Sequence, residues 1–149
     1  MRKKHIIFVC TGNTCRSPMA EIILKNKLKL AGVTDVKVSS AGLSAPEGEK
    51  MSKNSATALK QLGYKPVGFK SKQLTREMIE KATMVICMTM RHKLQLLGFD
   101  NVYALKELCG CVDIVDPYGM PLSAYVETSH QLEDACNIIL EQILNQKGE

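Results

Sequence analysis

No apolar run in this chain of 149 residues approaches the roughly 20 that a membrane-spanning helix needs, so the sequence does not read as a membrane protein. Aromatic residues make up only 5% of it, and they do not interleave with its basic clusters, Arg2, Lys3 and Lys4 and then Lys25, Lys27 and Lys29. The net charge of +5 is therefore expected on solvated faces that suit acidic or phosphorylated partners, and nucleic acid is not expected among them. The cysteines lack zinc-finger spacing, and the chain lacks the Gly to Gly-Lys-Ser/Thr interval of a Walker-type phosphate loop. Nor is there an internal repeat, a low-complexity tract or a linker. The opening MRKKHIIFVC sets basic residues before apolar ones as a secretory signal does, but its apolar part runs only from Ile6 to Cys10, short of the roughly 7–15 residues required. A cytoplasmic protein is expected.

What is present suits one domain, residues 1–149. Hydrophobic residues at 45% and charged ones at 23% are ordinary for a folded globular chain. A chain of this length buries roughly 70% of the surface its unfolded form exposes and needs no disulfide staples. The six cysteines, at positions 10, 15, 87, 109, 111 and 136, are therefore expected as reduced thiols. Cys87 in MVICM and Cys136 in an amphipathic stretch fit core packing, where free cysteine behaves as a small hydrophobe.

Along the chain, KHIIFVC reads as a short buried strand. A helix follows with Ser17 as N-cap and Pro18 as its first residue, running to about Ala31 and stopped by Gly32. DVKVSSAG is a second strand, LSAPEGEKMS a loop, and Ser52 to Leu62 a helix closed by Gly63. Thr75 to Lys81 reads as a short helix, MVICM as a third strand, Thr89 as the cap of a helix ending at Gly98, and NVYAL as a fourth strand. A loop from Lys106 to Leu122 comes next. Tyr125, Leu132, Ala135, Ile139 and Ile143 then recur at near-helical spacing to about Gln146. Strands alternating with helices predict an α/β fold, a four-stranded parallel sheet with helices on both faces in a flavodoxin-like or Rossmann-like three-layer arrangement. Ligands of such sheets bind beyond the carboxyl ends of the strands, where CTGNTCRS lies.

Five residues separate Cys10 from Arg16, enough to curl the backbone round a tetrahedral anion. Gly12 and Asn13 tolerate the positive φ such a curl asks for, and the helix start behind them adds unpaired N–H groups and the positive end of its dipole. Arg16 contributes a planar pair of donors for phosphate oxygens. Donors that attract an anion also favour a thiolate, so Cys10 reads as a nucleophile aimed at phosphorus. Asp116 is a candidate proton donor, but Asp-Pro is a common turn and Asp113 stands three residues away.

These residues resemble the low-molecular-weight protein tyrosine phosphatases, whose signature is a Cys, five residues, an Arg and then Ser or Thr near the N-terminus. The match is VCTGNTCRSPMAE, Val9 to Glu21. SSAG at 39–42, CMTMRH at 87–92 and DPYG at 116–119 fall where that family has its second-strand motif, a strand-to-helix junction and its acid loop. The resemblance implies a nucleophile at Cys10, a phosphate clamp and transition-state stabiliser at Arg16, and a hydroxyl at Ser17 that helps keep the thiolate. Thr11, Gly12, Asn13, Thr14, Cys15 and Arg16 would form the phosphate-binding loop, braced by Asn13 and Ser40. Asp116 becomes the general acid, and then the base that activates water against a phosphocysteine. No metal or organic cofactor is implied. In the family the second loop cysteine, here Cys15, can pair with the nucleophile on oxidation; packing under the loop is its plainer role. Many members carry a His before the third strand, and the best-aligned position here is Phe69, which leaves the support that His gives unassigned. His92 reads as a helix-surface residue, and His5 and His130 have no partner pattern.

In this family the residue before the second loop cysteine is usually bulky and aliphatic; here it is Thr14. A subgroup that shares CTGNTCRS, and that the chain resembles, consists of bacterial protein-arginine phosphatases, with the threonine as selectivity element. The flat apolar ring of phosphotyrosine gains from an aliphatic wall. Phosphoarginine presents a polar guanidinium that suits a hydroxyl at the rim, with Asp116 to hold and protonate it and Tyr118 as a wall. The resemblance thus implies a monomeric phosphatase of proteins phosphorylated on arginine or, if Thr14 is only a β-branched spacer, on tyrosine. A protein-arginine kinase and stress-protein substrates would be its functional neighbours. Other classes fit less well. An arsenate reductase needs a cysteine relay, for which only Cys109 and Cys111 offer themselves, and a zinc site needs more than that Cys-x-Cys pair. A phosphoprotein-binding module would keep Arg16 and dispense with Cys10 and Asp116.

Overall fold

The structure, a computed structural model, describes residues 3–147, so Arg2 of the first basic cluster lies outside it. Four parallel strands form the sheet in the order β2-β1-β3-β4, with β1 at Lys4–Cys10, β2 at Val36–Gly42, β3 at Met84–Cys87 and β4 at Val102–Ala104. Parallel neighbours cannot be joined by hairpins, so each connection crosses a face of the sheet and the strands must be apolar on both sides. β1 shows how this is met. Ile6, Phe8 and Cys10 join the core cluster on one face, and Ile7 and Val9 join the cluster on the other, as the two-residue period of a strand requires.

The first face is covered by α1 (Arg16–Leu30), α5 (Leu105–Cys109) and α6 (Leu122–Lys147), with α2 (Lys53–Gln61) packed on α1 and α6. The second is covered by α3 (Arg76–Lys81) through Ile79, and by Leu96 and Phe99 in the turn after α4 (Met90–Leu94). The connections after β1 and β3 thus leave for opposite faces, and a crevice opens between the carboxyl ends of these two strands. Cys87 and Cys136 are fully buried as expected, and burial pushes the Cys87 thiol up to about 12 and raises the Cys136 thiol as well. Among the described residues no helix is long and apolar enough to cross a membrane.

Thr89 caps α4 as the sequence predicts, and Ser52 and Thr75, read as the first residues of their helices, are the N-caps of α2 and α3. Ser52, Thr75 and Thr89 accept N–H bonds from Ser55, Met78 and His92 at 3.2, 3.2 and 3.1 Å. Ser17 does not cap α1. That helix begins at Arg16 with Cys15 as N-cap, no side chain satisfies its end, and Ser17 and Pro18 both lie in the first turn. Proline is tolerated there because the first N–H groups of a helix have no intrahelical partner. The helix after Thr89 is regular only to Leu94 before the turn to Gly98, and the third and fourth strands are each shorter at their ends than predicted. The predicted loop from Lys106 opens inside α5, which starts at Leu105, the last residue of the predicted fourth strand, and runs five residues to its close at Gly110, φ +66. One helical turn and a half is too short for hydrophobic periodicity to show. On α1, Lys25 and Lys29 are exposed as expected, but Lys27 is mostly covered and reaches Glu133 on α6 at 3.4 Å.

Gly42, in register with Cys10, ends β2 where the chain passes closest to the loop. A Cβ on it would lie 2.6 Å from the Thr11 carbonyl oxygen and 2.7 Å from the Ala45 Cβ. Neither neighbour is the end of a flexible side chain, so the backbone itself would have to move. Gly42→Ala is therefore expected to lower stability by about 1–3 kcal/mol, read from the midpoint of urea unfolding. An unchanged midpoint would mean that the loop moves aside freely.

Candidate active site

Residues 11–15 connect β1 to α1, and bonds on their outer side set their shape. The N–H groups of Leu43, Ser44 and Ser52 donate to the carbonyls of Cys10, Thr11 and Thr14 at 3.0, 2.9 and 2.8 Å. No cis peptide occurs among the described residues, and a trans peptide points its N–H away from its C=O. The N–H groups of Thr11, Gly12 and Cys15 are therefore turned the other way, into the crevice. The curl is made by Asn13 at φ +56, the one non-glycine residue of the described chain with positive φ. Gly12 was expected to share that conformation and does not, because a single left-handed residue suffices to reverse the chain.

Asn13 is fully buried, and its side chain is fully engaged. Its Oδ1 accepts the Lys72 N–H at 2.9 Å, and its Nδ2 donates to Ser17 Oγ at 2.9 Å and to Ser40 Oγ at 3.0 Å. Ser40 in turn donates to Glu21 Oε1 at 2.7 Å. Ser17 Oγ lies 2.9 Å from Cys10 Sγ. Having accepted the Asn13 N–H, Ser17 has its own proton left for the sulfur, a donor suited to an acceptor that carries negative charge. The displaced N-cap of α1 thus finds its use here. Phe69 packs half-buried against the core, and its segment supports the loop through the backbone of Lys72.

Arg16 is 5% exposed. Its Nη1 donates to the Ile114 carbonyl at 3.0 Å, and its Nη2 lies 3.6 Å from Asp116 Oδ2. Its Nε is buried without a partner among the described residues, which leaves one donor of the fork for an oxyanion. The two aspartates separate by their contacts. Asp113 accepts the Met90 N–H at the start of α4 and faces Lys106 at 3.5 Å, whereas Asp116, its side chain half exposed, faces Arg16 and accepts the Tyr118 N–H at 3.1 Å. A pocket of about 240 Å³ lies between the loop, Asp116 and Tyr118, with Cys10, Thr14 and Arg16 in its lining. Its floor is positive and its rim carries one carboxylate, so it can take a phosphoryl group with the first atoms of whatever bears it.

Cys15 is buried under the loop with Sγ 3.9 Å from the Tyr125 hydroxyl, whose titration is pushed up to about 12 by burial and then by Cys15. Both loop cysteines are free thiols. Cys109 packs half-buried against α6 with its thiol pushed up to about 12 by burial, which makes it a poor relay nucleophile, and burial raises Cys111 as well. Among the described residues no three His, Cys, Asp or Glu side chains are grouped as a metal would need. Two histidines depart from expectation. His5 Nε2 meets Ser39 Oγ at 2.8 Å, and burial lowers its pKa; His130 is exposed. His92 is only 4% exposed, with Nε2 3.0 Å from Thr11 Oγ1. Burial and then the Arg16 guanidinium push it down to about 4, against the pull of Asp116 and Asp113. Its signal was positional, for His92 falls in the first turn after β3 and hence at the same sheet end as the loop.

A thiol beside a hydroxyl donor, a guanidinium and converging N–H groups beneath it, and a carboxylate at the rim define a class, the phosphatases that work through cysteine. Comparison with known proteins narrows it. The family model for low molecular weight phosphotyrosine protein phosphatase matches residues 5–149. A protein-arginine-phosphatase of Geobacillus stearothermophilus is 38% identical over 146 residues, covering 93% of this chain and 95% of that one. The low molecular weight protein-tyrosine-phosphatase PtpB of Staphylococcus haemolyticus is 38% identical over 133 residues, covering 86% and 91%. The solved structure of YwlE arginine phosphatase from Geobacillus stearothermophilus matches with a TM-score of 0.88 at 37% identity, over 97% of this chain and 95% of that one. The chain belongs to the low molecular weight phosphotyrosine protein phosphatase family.

The His92 contact carries a pH dependence whose sign is fixed. The folded state holds the imidazole neutral down to about 4, whereas an unfolded chain takes up the proton near 6.5, so stability is lost as pH falls between those values. Wild type is expected to lose on the order of 2–3 kcal/mol over that range relative to His92→Gln, whose amide keeps a partner for the Thr11 hydroxyl without titrating. Thermal unfolding from pH 4 to pH 8 measures it; parallel curves would mean that the imidazole is not held neutral.

Proposed function

We propose that the chain is a single-domain, cytoplasmic, monomeric phosphatase that uses Cys10 to remove phosphate from phosphoarginine in proteins. The observation that carries the arginine reading is Thr14, a half-buried residue in the pocket lining whose hydroxyl stands where an apolar ring would want an aliphatic wall. Relatives named as arginine phosphatases and one named as a tyrosine phosphatase share 37–38% identity with it, so they support the scaffold more than the choice of substrate.

In this reading the phosphoryl oxygens lie on the loop N–H groups and Arg16, and the Cys10 sulfur attacks phosphorus in line with the breaking P–N bond. The departing guanidino nitrogen takes its proton from the Asp116 carboxyl, and the resulting carboxylate pairs with the guanidinium as it leaves. Asp116 then takes a proton from water whose oxygen attacks the phosphocysteine. The S–P bond breaks, phosphate departs, and the sulfur keeps its electron pair facing the Ser17 hydroxyl. Oxidation by a peroxide, removing two electrons and two protons from the Cys10 and Cys15 thiols, would join them and shelter the nucleophile.

Initial rates on matched phosphoarginine and phosphotyrosine peptides test this, with Cys10→Ser as the inactive blank. Wild type should prefer phosphoarginine, Thr14→Ile should reverse the preference, and Asp116→Ala should lower kcat by about 100-fold or more. Preference for phosphotyrosine in both wild type and Thr14→Ile would keep the cysteine mechanism and remove the arginine reading.

A further inference from the structure

We propose that Glu21 is a positioning residue, setting through Ser40, Asn13 and Ser17 the direction of the hydroxyl proton that reaches Cys10. The proposal rests on Cys10 being the nucleophile. Glu21 lies in the second turn of α1, is 7% exposed, and touches neither the pocket nor the sulfur. Its Oε1 accepts the Ser40 hydroxyl at 2.7 Å, and its Oε2 faces the Lys25 ammonium, four residues along the helix, also at 2.7 Å.

Both partners of this carboxylate are donors, and that decides the rest of the chain. Lys25 has no lone pair to offer. Ser40 has spent its acceptor side on the Asn13 N–H, so its own proton goes to Glu21. Asn13, with its amide N–H groups on Ser40 and Ser17 and its Oδ1 on the Lys72 N–H, is held in one of its two flips from both ends. Ser17 then accepts from Asn13 and donates to sulfur. The protons run outward from the Asn13 amide, through Ser40 to Glu21 on one side and through Ser17 to the sulfur on the other, so a carboxylate that can only accept helps to hold the amide in the flip that leaves the Ser17 proton for Cys10.

An amide of the same shape at position 21 accepts on one atom only. Lys25 cannot become an acceptor and Ser40 can, so glutamine keeps its oxygen on Lys25 and turns its NH2 to Ser40. Ser40, fully buried, then accepts from both neighbours and its own proton is left without an acceptor. Turning the Asn13 amide over relieves this at the loss of the Lys72 bond, and Ser17 then gives its proton to the Asn13 oxygen instead of the sulfur.

The experiment is the pH dependence of Cys10 alkylation by iodoacetamide, with Cys10→Ser subtracted as the blank for the other thiols. Glu21→Gln is expected to raise the midpoint by about one pH unit, a tenfold slower reaction at a fixed pH below it. Glu21→Gln combined with Lys25→Met is expected to recover at least half of that shift, because the amide is then free to turn its oxygen to Ser40. A role in packing alone would not be rescued by removing an ion-pair partner. Should Glu21→Gln fail to fold by circular dichroism, Ser40→Ala gives the second reading, since Ser40 touches neither Cys10 nor Ser17 and the same upward shift is required of it. A wild-type midpoint in Glu21→Gln or in Ser40→Ala, or a shift that the Lys25 substitution leaves in place, overturns the proposal. Alkylation needs no substrate, so absence of turnover on any phosphorylated peptide would count against the phosphatase reading and leave this measurement standing.

Discussion

Asn13 holds a left-handed backbone at φ +56 while completely buried, and both the cradle and the surroundings of the sulfur depend on it. The conformation costs a residue with a Cβ roughly 1–2 kcal/mol, which asparagine offsets better than most because its short side chain can bond locally. Here it does so in three directions, to Lys72, Ser40 and Ser17. An unpaired amide at this depth would cost as much again or more, so the curl and the network stand or fall together. The outer bonds from Leu43, Ser44 and Ser52 then have only to fix the carbonyls of a loop whose turn is already made.

Charge at the site is kept one-sided by where the other ionisable groups are placed. Arg16 is fixed by the Ile114 carbonyl, itself part of a segment whose N–H reaches the Met88 carbonyl at 3.1 Å. His92 stands close enough to feel that guanidinium and is held neutral, so the loop gains a hydrogen bond to Thr11 without a second cation that would repel Arg16. Asp113 is drawn off to α4 and Lys106, which leaves Asp116 as the carboxylate at the rim. A carboxylate facing both Arg16 and solvent can exchange protons with water between the two halves of the proposed reaction, as a fully buried one could not.

Much of this was legible in the sequence, for reasons that also mark where reading stops. β1 is unmistakable because apolar residues fill both of its faces, and the loop after it because Cys, Asn and Arg at that spacing, between a strand and a helix, have few other uses. α5 escaped because five residues show no period, and the cap of α1 was misplaced because Ser followed by Pro fits the preferences for N-cap and first helical residue. His92 and Glu21 were missed for a different reason. Each sits on a helix at a position that a one-dimensional reading assigns to solvent, and each is turned inward by how that helix meets the sheet: α4 starts over the carboxyl end of β3, and α1 runs back along the face that carries Phe8 and Cys10. Both lie within the matched stretches, Glu21 at the end of 9–21 and His92 at the end of 87–92, but only the packing shows that they turn inward.

The same packing separates the shape of the loop from the wall it presents to the pocket. At Thr14 the backbone and the side chain answer to different constraints. Its carbonyl is fixed by the N–H of Ser52, the cap of α2, and this bond is indifferent to what the side chain is. Its hydroxyl lies over Gly12, 3.7 Å from where a Cβ would stand, on the pocket side of the loop. Exchanging the side chain therefore alters the wall that the substrate meets while the N–H cradle, Asn13 and the sulfur keep their places. The proposed choice of substrate thus rests on a loop position where the polarity of the pocket can change without disturbing the bonds that hold the loop in shape.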